Sequence, residues 1–359
     1  MYIAQIAPLY EAVPPKFYGG TERVVHWLTE ELVALGHDVT LFASADSHTS
    51  ARLEPMWDRA IRLDGAVREP QILHMVMLEK VRQRAAEFDF LHFHLDYYPW
   101  SLFSRQPVPF VTTLHGRLDL PEQQPLFATF PSTPVISISD AQRRPVPNAG
   151  WVSTIHHGLP ENLLRPLPVK PSYLAFLGRI APEKRVDRAI RIAAQCGLPI
   201  KIAAKIDKAD AEYFEANIRS LFKLPHVEYI GEISDAEKAE FLSGAIGLLM
   251  PIEWPEPFGL VLIEAMACGT PVIAFNRGSV PEIVEHRVTG FVVEDELSAV
   301  ASVHLLPTLS RQTVRRRFEE RFTARRMAKE YLAAYRRLMN REDSRPHLVS
   351  VGAAQMQDS

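Results

Sequence analysis

The densest chemistry in the chain lies between Glu256 and Val272, EPFGLVLIEAMACGTPV. A loop ending in Gly259 opens a helix here, so the amides of Leu260 and Val261 are free to meet an anion at the positive end of the helix dipole. Glu256 sits in the loop. Glu264 follows two turns later, a carboxylate among Leu262, Ile263, Ala265, Met266 and Ala267. A charge in such surroundings is costly without donors, and the two hydroxyls of a ribose would supply them. The plain alternative is a surface glutamate at a gap in the apolar stripe.

Two further clusters could hold an anion. In Gly178-Arg179-Ile180-Ala181-Pro182-Glu183-Lys184 a forked guanidinium and an ammonium follow a strand, a pairing suited to a diphosphate with about two negative charges. The alternative is a solvated loop with an ion pair to Glu183. In Tyr18-Gly19-Gly20-Thr21-Glu22 a glycine pair opens a helix, letting backbone N–H groups approach an anion closely. The alternative is a tight turn with Thr21 as N-cap and Glu22 in the first turn.

The elements that must position these clusters alternate between short β-rich runs and helical stretches, which argues for parallel sheets covered by helices. YIAQIAP, DVTLFAS, FLHFHL, PFVTTLH, TPVISIS and WVSTIHH read as strands of the first half. Their nearly continuous apolar character fits burial on both faces. Residues 21–35 form the clearest early helix, with Val24, Val25, Leu28, Leu32 and Leu35 on one face and Gly36 as a stop. Three prolines in LRPLPVKPS, 164–172, mark a linker. A second series follows: strands YLAFLGR, PIKIAAK, HVEYIG, IGLLMP, TPVIAFN and TGFVV, separated by helices over 183–197, 235–245, 258–269 and 281–286 and by an amphipathic stretch near 210–222. The stretch 311–340 reads as a C-terminal helix and the tail 341–359 as disordered. We therefore expect one domain over 1–165, a second over 166–320, and a helix over 321–340 crossing back to the first. Open parallel sheets bind ligands at the carboxyl ends of their strands, so the site should lie in the crevice between the domains.

Composition narrows the class. The 359 residues suffice for two cores, and 47% hydrophobic with 23% charged is ordinary for a globular protein. No apolar run reaches the roughly 18–20 residues of a membrane span, and no signal-peptide pattern opens the chain. Two cysteines, Cys196 and Cys268, in apolar contexts point to a reducing, cytoplasmic setting rather than a disulfide or zinc framework. A net charge of −3 offers no electrostatic reason to expect nucleic acid.

The pair EPFGL and EAMACGTPVI resembles the donor-binding signature of retaining glycosyltransferases of family four, which have the GT-B fold. YGGTE, TLHG (113–116), SISDAQR (137–143), IHHG (155–158), FLGRIAPEKRVDRAI (176–190), GSVPEIVEHRVTGFVV (278–293) and RFTARRMAKEYLAAYRRLM (321–339) are similar to other segments of that family. WPEPFGLV and LHGRLDLP are closest to its avilamycin-type, antibiotic-biosynthesis branch. The resemblance implies two Rossmann-like, doubly wound domains facing across a cleft. It implies that Arg179 and Lys184 neutralise the donor diphosphate and that Glu264 binds the ribose. Glu256, with the backbone of Phe258 and Gly259, would grip the sugar hydroxyls, and the amides of Leu260 and Val261 would cradle phosphate. Gly20, beside Gly19, would meet the diphosphate from the opposite domain, and His115 would lie beside the donor sugar. One departure stands out: where many members carry a glycine-rich turn near the donor base, this chain has Ala203-Ala204-Lys205-Ile206-Asp207. Lys205 could add a phosphate contact, and the base preference stays open.

The chemistry expected is hexose transfer from a nucleotide-diphosphate sugar, UDP-linked first, to a hydroxyl of a carbohydrate, lipid or natural product. There is no D-x-D motif to hold a metal, so His115, Arg179, Lys184 and Glu256 should work without one and without a cofactor. Retention of anomeric configuration is implied by the resemblance alone. His92-x-His94-x-Asp96 could line three metal ligands on one strand face, although a cleft-lining role is the simpler reading. His156 and His157 read as structural near the domain junction, and Tyr97, Tyr98 and Trp100 as either acceptor-stacking or core. Acceptor choice should lie in loops 46–75 and 115–131. The alternatives are a nucleotide-sugar epimerase or phosphorylase on the same fold and a non-catalytic sensor, which would not need His115, Arg179, Lys184, Glu256 and Glu264 together.

Overall fold

The computed structural model describes residues 1–16 and 19–343, the last three by backbone alone. Tyr18 of the glycine cluster and the tail from 344 onward lie outside the described residues.

Among the described residues thirteen strands form two parallel sheets. The first comprises β1 (Tyr2–Ile6), β2 (Asp38–Ser44), β3 (Arg52–Trp57), β4 (Phe90–Phe93), β5 (Phe110–Thr113), β6 (Val135–Ser137) and β7 (Trp151–Thr154), in the order β3-β2-β1-β4-β5-β6-β7. The second comprises β8 (Tyr173–Arg179), β9 (Ile200–Lys205), β10 (Val227–Gly231), β11 (Ala245–Met250), β12 (Val272–Phe275) and β13 (Gly290–Val293), in the order β10-β9-β8-β11-β12-β13. Both are doubly wound. Strand order reverses between β1 and β4 in one and between β8 and β11 in the other, and a ligand crevice forms where it does. The GT-B architecture expected from sequence is the one observed.

The central strands are mostly apolar because helices cover both faces: Ile3, Ala4, Ile6, Phe90, Leu91 and Phe93 are fully buried, with Gln5 and His92 as buried polar exceptions. The strand missed by sequence reasoning, β3, is an edge strand. It pairs only with β2, and its RLEPMW sequence carries Glu54 and Pro55. An edge tolerates proline and exposed charge, which erases the apolar signal. Part of the expected acceptor loops is therefore ordered as β3, and helices Pro70–Gln83 and Gln123–Thr129 were likewise not anticipated. The amphipathic stretch near 210–222 is a series of short helical turns, Ala211–Tyr213, Phe214–Ile218 and Leu221–Lys223.

The C-terminal helix is also two helices, Arg311–Arg321 and Ala324–Asp343. Between them the chain pairs with Leu159, whose N–H donates to Phe322 O (3.0 Å) and whose carbonyl accepts from Ala324 N (2.9 Å). A Cβ at Gly158 would overlap the Thr323 backbone, so this crossing requires the glycine of IHHG. The Ala324–Asp343 helix then packs on the Gly20–Ala34 helix of the first lobe, with Tyr331 and Tyr335 fully buried.

Candidate active site between the two lobes

All the sequence-predicted clusters arrive at the two switch points. Gly19 and Gly20 follow β1, His94 follows β4, His115 follows β5, Arg179 ends β8, and the Glu253–Gly259 loop follows β11. The Gly20–Ala34 helix starts two residues earlier than the plain turn reading required. Its N-cap is Gly19 rather than Thr21, and no side chain caps it. The Leu260–Ala267 helix is likewise uncapped. Gly259 takes φ +84°, a left-handed conformation that favours glycine. The two helix starts face each other across the lobes: a Cβ on Gly20 would lie 3.7 Å from Leu260 Cδ1. Two sets of first-turn amides thus converge on one place, each with a positive dipole end.

The cations are not bare. Lys184 Nζ lies 2.7 Å from Glu256 Oε2, which also accepts from Trp254 Nε1 at 3.0 Å. Arg179 is shared between Glu183 at 2.7 Å and Asp210 at 2.9 Å, so the ion pair to Glu183 posed as the alternative does form. Lys205, on the strand beside Arg179, sits 3.7 Å from Asp207. A half-buried cation without an anion is unfavourable, and each of these cations has a carboxylate beside it. A cavity of about 30 Å³ lies between the lobes, among Arg117, Gln142, Glu256 and Gly278. A groove of about 800 Å³ opens beside the Lys184 loop, lined in part by Glu183, Arg185, Tyr213, Glu253 and Trp254.

Glu264 is 4% exposed, so the surface-glutamate alternative fails. Its donor is also not left to a ligand: Lys238 Nζ reaches Oε1 at 2.7 Å and pairs with Asp235 at 3.1 Å, and Asp235 in turn meets Arg23 of the first lobe. The inference that Glu264 needs a ribose for its donors is corrected by this pairing, which supplies an internal one.

Several supporting residues were not assigned from sequence. Three consecutive carbonyls of the Glu256–Phe258 loop are tied down: Glu256 O accepts from Ser279 N (2.9 Å), Pro257 O from Ser139 Oγ (2.6 Å) and Phe258 O from Ser279 Oγ (2.9 Å). Gly278, at φ +58°, lies so close to the Glu256 backbone that a Cβ would overlap it. The Phe258 side chain is core, edge-on to His157 at 4.8 Å between ring centres. Glu282 accepts from the amides of Asp140 and Ala141 at 2.7 Å each, joining the lobes again. The segments 137–143 and 278–293 stood out in the sequence, but their bracing role depends on non-local contacts, those of Ser139 and Glu282 joining residues more than 100 apart.

The three-ligand arrangement of His92, His94 and Asp96 does not form. Asp96 lies beyond the end of β4 at φ +47°, and both rings are bonded elsewhere. Among the described residues no group of three His, Cys, Asp or Glu is placed to hold a metal ion. His94 Nδ1 meets His115 Nε2 at 2.9 Å, and His115 stacks on buried His157 at 5.3 Å. Burial pushes the His115 imidazole down to about 3, so it stays neutral. Trp100 is core, its Nε1 donating to Thr112 Oγ1 at 3.2 Å, whereas Tyr97 is exposed. Cys196 and Cys268 are free thiols. Among the described residues no helix is long and apolar enough to cross a membrane.

Known proteins place this geometry. The family description "Glycosyltransferase Family 4" matches residues 18–190, and "Glycosyl transferases group 1" matches 165–325. Glycogen synthase of Mycobacterium tuberculosis is 25% identical over 389 residues, covering 90% of this chain and 93% of that protein. AviGT4, a glycosyltransferase involved in avilamycin A biosynthesis, is 25% identical, with a TM-score of 0.74 over 94% of this chain and 98% of that one. A chain of similar fold is Anabaena HepE, solved with UDP and glucose (19% identical, TM-score 0.67, covering 92% and 98%). With both lobes matched in sequence and the two facing sheets in fold, the chain belongs to the family-four glycosyltransferases of the GT-B fold, enzymes of nucleotide-sugar transfer.

Proposed function

We propose that this glycosyltransferase moves a hexose from a nucleoside-diphosphate sugar to a hydroxyl acceptor, with retention of configuration and without a metal ion. The observation that carries the reading is the meeting of two uncapped helix starts, at Gly20 and Leu260, with Lys184 paired to Glu256 of the loop that leads into the second. When the anomeric carbon–oxygen bond breaks, its electron pair stays on the diphosphate while positive charge develops on the sugar. Arg179, Lys184 and the facing amides are placed to hold that anion. The acceptor oxygen then bonds to the anomeric carbon from the same face, and its proton passes to a phosphate oxygen. Glu256 and the loop amides at Phe258 and Gly259 take the sugar hydroxyls. Lys184 must loosen from Glu256 as the diphosphate arrives, so the ion pair holds both groups ready before binding.

Uracil is the first base to test, because a chain of this fold has been solved with UDP and glucose. A thermal-shift panel of UDP, GDP, ADP and their sugars, with and without EDTA, tests the reading. UDP should raise the melting temperature equally in both conditions, and the anomeric proton coupling of the product should match the donor. Turnover that disappears on chelation and returns with manganese or magnesium would overturn the metal-free mechanism. Epimerised donor formed without an acceptor would overturn transfer.

A further inference from the structure

A row of buried polar groups runs from the crossing helix to His115, and the transfer chemistry above leaves it unused. Gln5 of β1 is fully buried. Its Nε2 donates to the Tyr335 hydroxyl at 3.3 Å, and its Oε1 lies 2.9 Å from His94 Nε2. His94 Nδ1 meets His115 Nε2 at 2.9 Å. On the other branch the Tyr335 hydroxyl meets His92 Nδ1 at 2.7 Å, and His92 Nε2 meets Thr113 Oγ1 at 2.7 Å. Thr113 then donates to the Tyr331 hydroxyl at 3.1 Å.

One end of an amide only accepts and the other only donates, so Gln5 gives the whole row its direction. With Oε1 toward His94, that ring carries its proton on Nε2 and must accept on Nδ1. His115 therefore donates from Nε2. A neutral imidazole has a single N–H, so His115 Nδ1 is a bare lone pair. The other branch agrees: Tyr335 receives the Gln5 N–H and gives its own hydrogen to His92 Nδ1, and His92 passes on through Nε2 to Thr113. Burial holds His92, His94 and His115 neutral, so none escapes the ordering by taking a second proton. His115 Nδ1 is buried and has no hydrogen-bond partner among the described residues. A buried lone pair without a donor calls for an explanation.

We propose that Tyr335, Gln5 and His94 are positioning residues that fix His115 in its Nε2–H tautomer, leaving Nδ1 to accept a hydrogen bond from a hydroxyl of the bound sugar. The lone pair presents the negative end of the ring dipole to a sugar that gathers positive charge as the diphosphate leaves. The opposite tautomer would present an N–H and oppose that charge. Residues 330 apart in sequence thereby act on one atom, and the crossing helix becomes part of the site rather than a clasp. The identity of the hydroxyl rests on the transferase reading, whereas the tautomer does not.

Nitrogen-15 NMR of the histidine-labelled, ligand-free chain reads the tautomer without turnover. His115 should show a protonated Nε2 and a bare Nδ1. A wild-type ring protonated on Nδ1 overturns the proposal whether or not any variant folds, and it leaves UDP binding and sugar transfer to be judged separately. In Tyr335→Phe the Gln5 amide loses its acceptor and the ring should become a mixture of tautomers. The transfer kcat should then fall about 10-fold, roughly the worth of one hydrogen bond, with the donor KM little changed. Gln5→Met, which removes the directing amide itself, should reproduce both effects. Unchanged tautomer and unchanged kcat in a folded variant of either kind would refute the relay.

Discussion

Replacing Lys184 by alanine tests the electrostatic core of the site. In the ligand-free chain the ammonium pairs with Glu256 at 2.7 Å, the two side chains being 21% and 12% exposed. Losing such a partly solvated pair costs within about 1 kcal/mol, so the melting temperature should move by only about 2 °C. The effect on ligand is larger. An ammonium about 4 Å from a phosphate charge gains ~4 kcal/mol at an effective dielectric of about 20. Part of that gain is offset because Lys184 must give up Glu256, which then faces the anion uncompensated. A net charged hydrogen bond of about 1.5–3 kcal/mol remains. Calorimetric titration should therefore show UDP binding weakened about 10- to 100-fold in Lys184→Ala, with uridine binding unchanged because it carries no phosphate. UDP affinity within about two-fold of the parent would refute the phosphate assignment. An equal loss for uridine would mean that the loop had collapsed rather than lost a charge.

Glu264→Ala should destabilise the fold itself, by about 3 kcal/mol in urea titration, because it strands Lys238 with Asp235 as its remaining partner. A variant as stable as the parent would refute a structural role for the Glu264–Lys238 pair. Gly278→Ala should displace the Glu256 loop and cut transfer by about 10-fold or more while circular dichroism stays unchanged, since the added methyl overlaps the Glu256 backbone at a positive φ. Glu22 is 6% exposed, and burial pushes its carboxyl up to about 7 from 4.5. A folded pKa above the unfolded one means stability is full below 4.5 and is lost as pH rises through 7. Glu22→Gln should therefore stabilise the chain by about 3 kcal/mol at pH 8 and by little at pH 4, read as denaturant midpoints. His92, His94, His115 and His157 act with the opposite sign. Their imidazoles are held neutral in the fold but take up protons in the unfolded chain near 6.5, so stability should fall as pH drops below about 6.5, with each ring contributing up to about 1.4 kcal/mol per pH unit.

Much of this molecule was legible in the chain because burial on both faces leaves a nearly continuous apolar run, which local reading detects. β1, β4, β8, β11 and β12 announce themselves in that way, as does the helix opening at Gly259, where only a glycine enters a left-handed turn without strain. β3 stayed hidden because an edge strand with Glu54 and Pro55 lacks that run. The types of the site residues, and their places after particular strands, followed from sequence as well. Their partners did not. Lys184 with Glu256, Glu264 with Lys238, the Glu256 loop with Ser139 and Ser279, and Gln5 with Tyr335 are pairs made by sheet order and by the returning helix. Hydrogen bonds and ion pairs act over a few ångströms, so which charge is neutralised and which imidazole nitrogen is left bare become defined only when distant strands lie side by side.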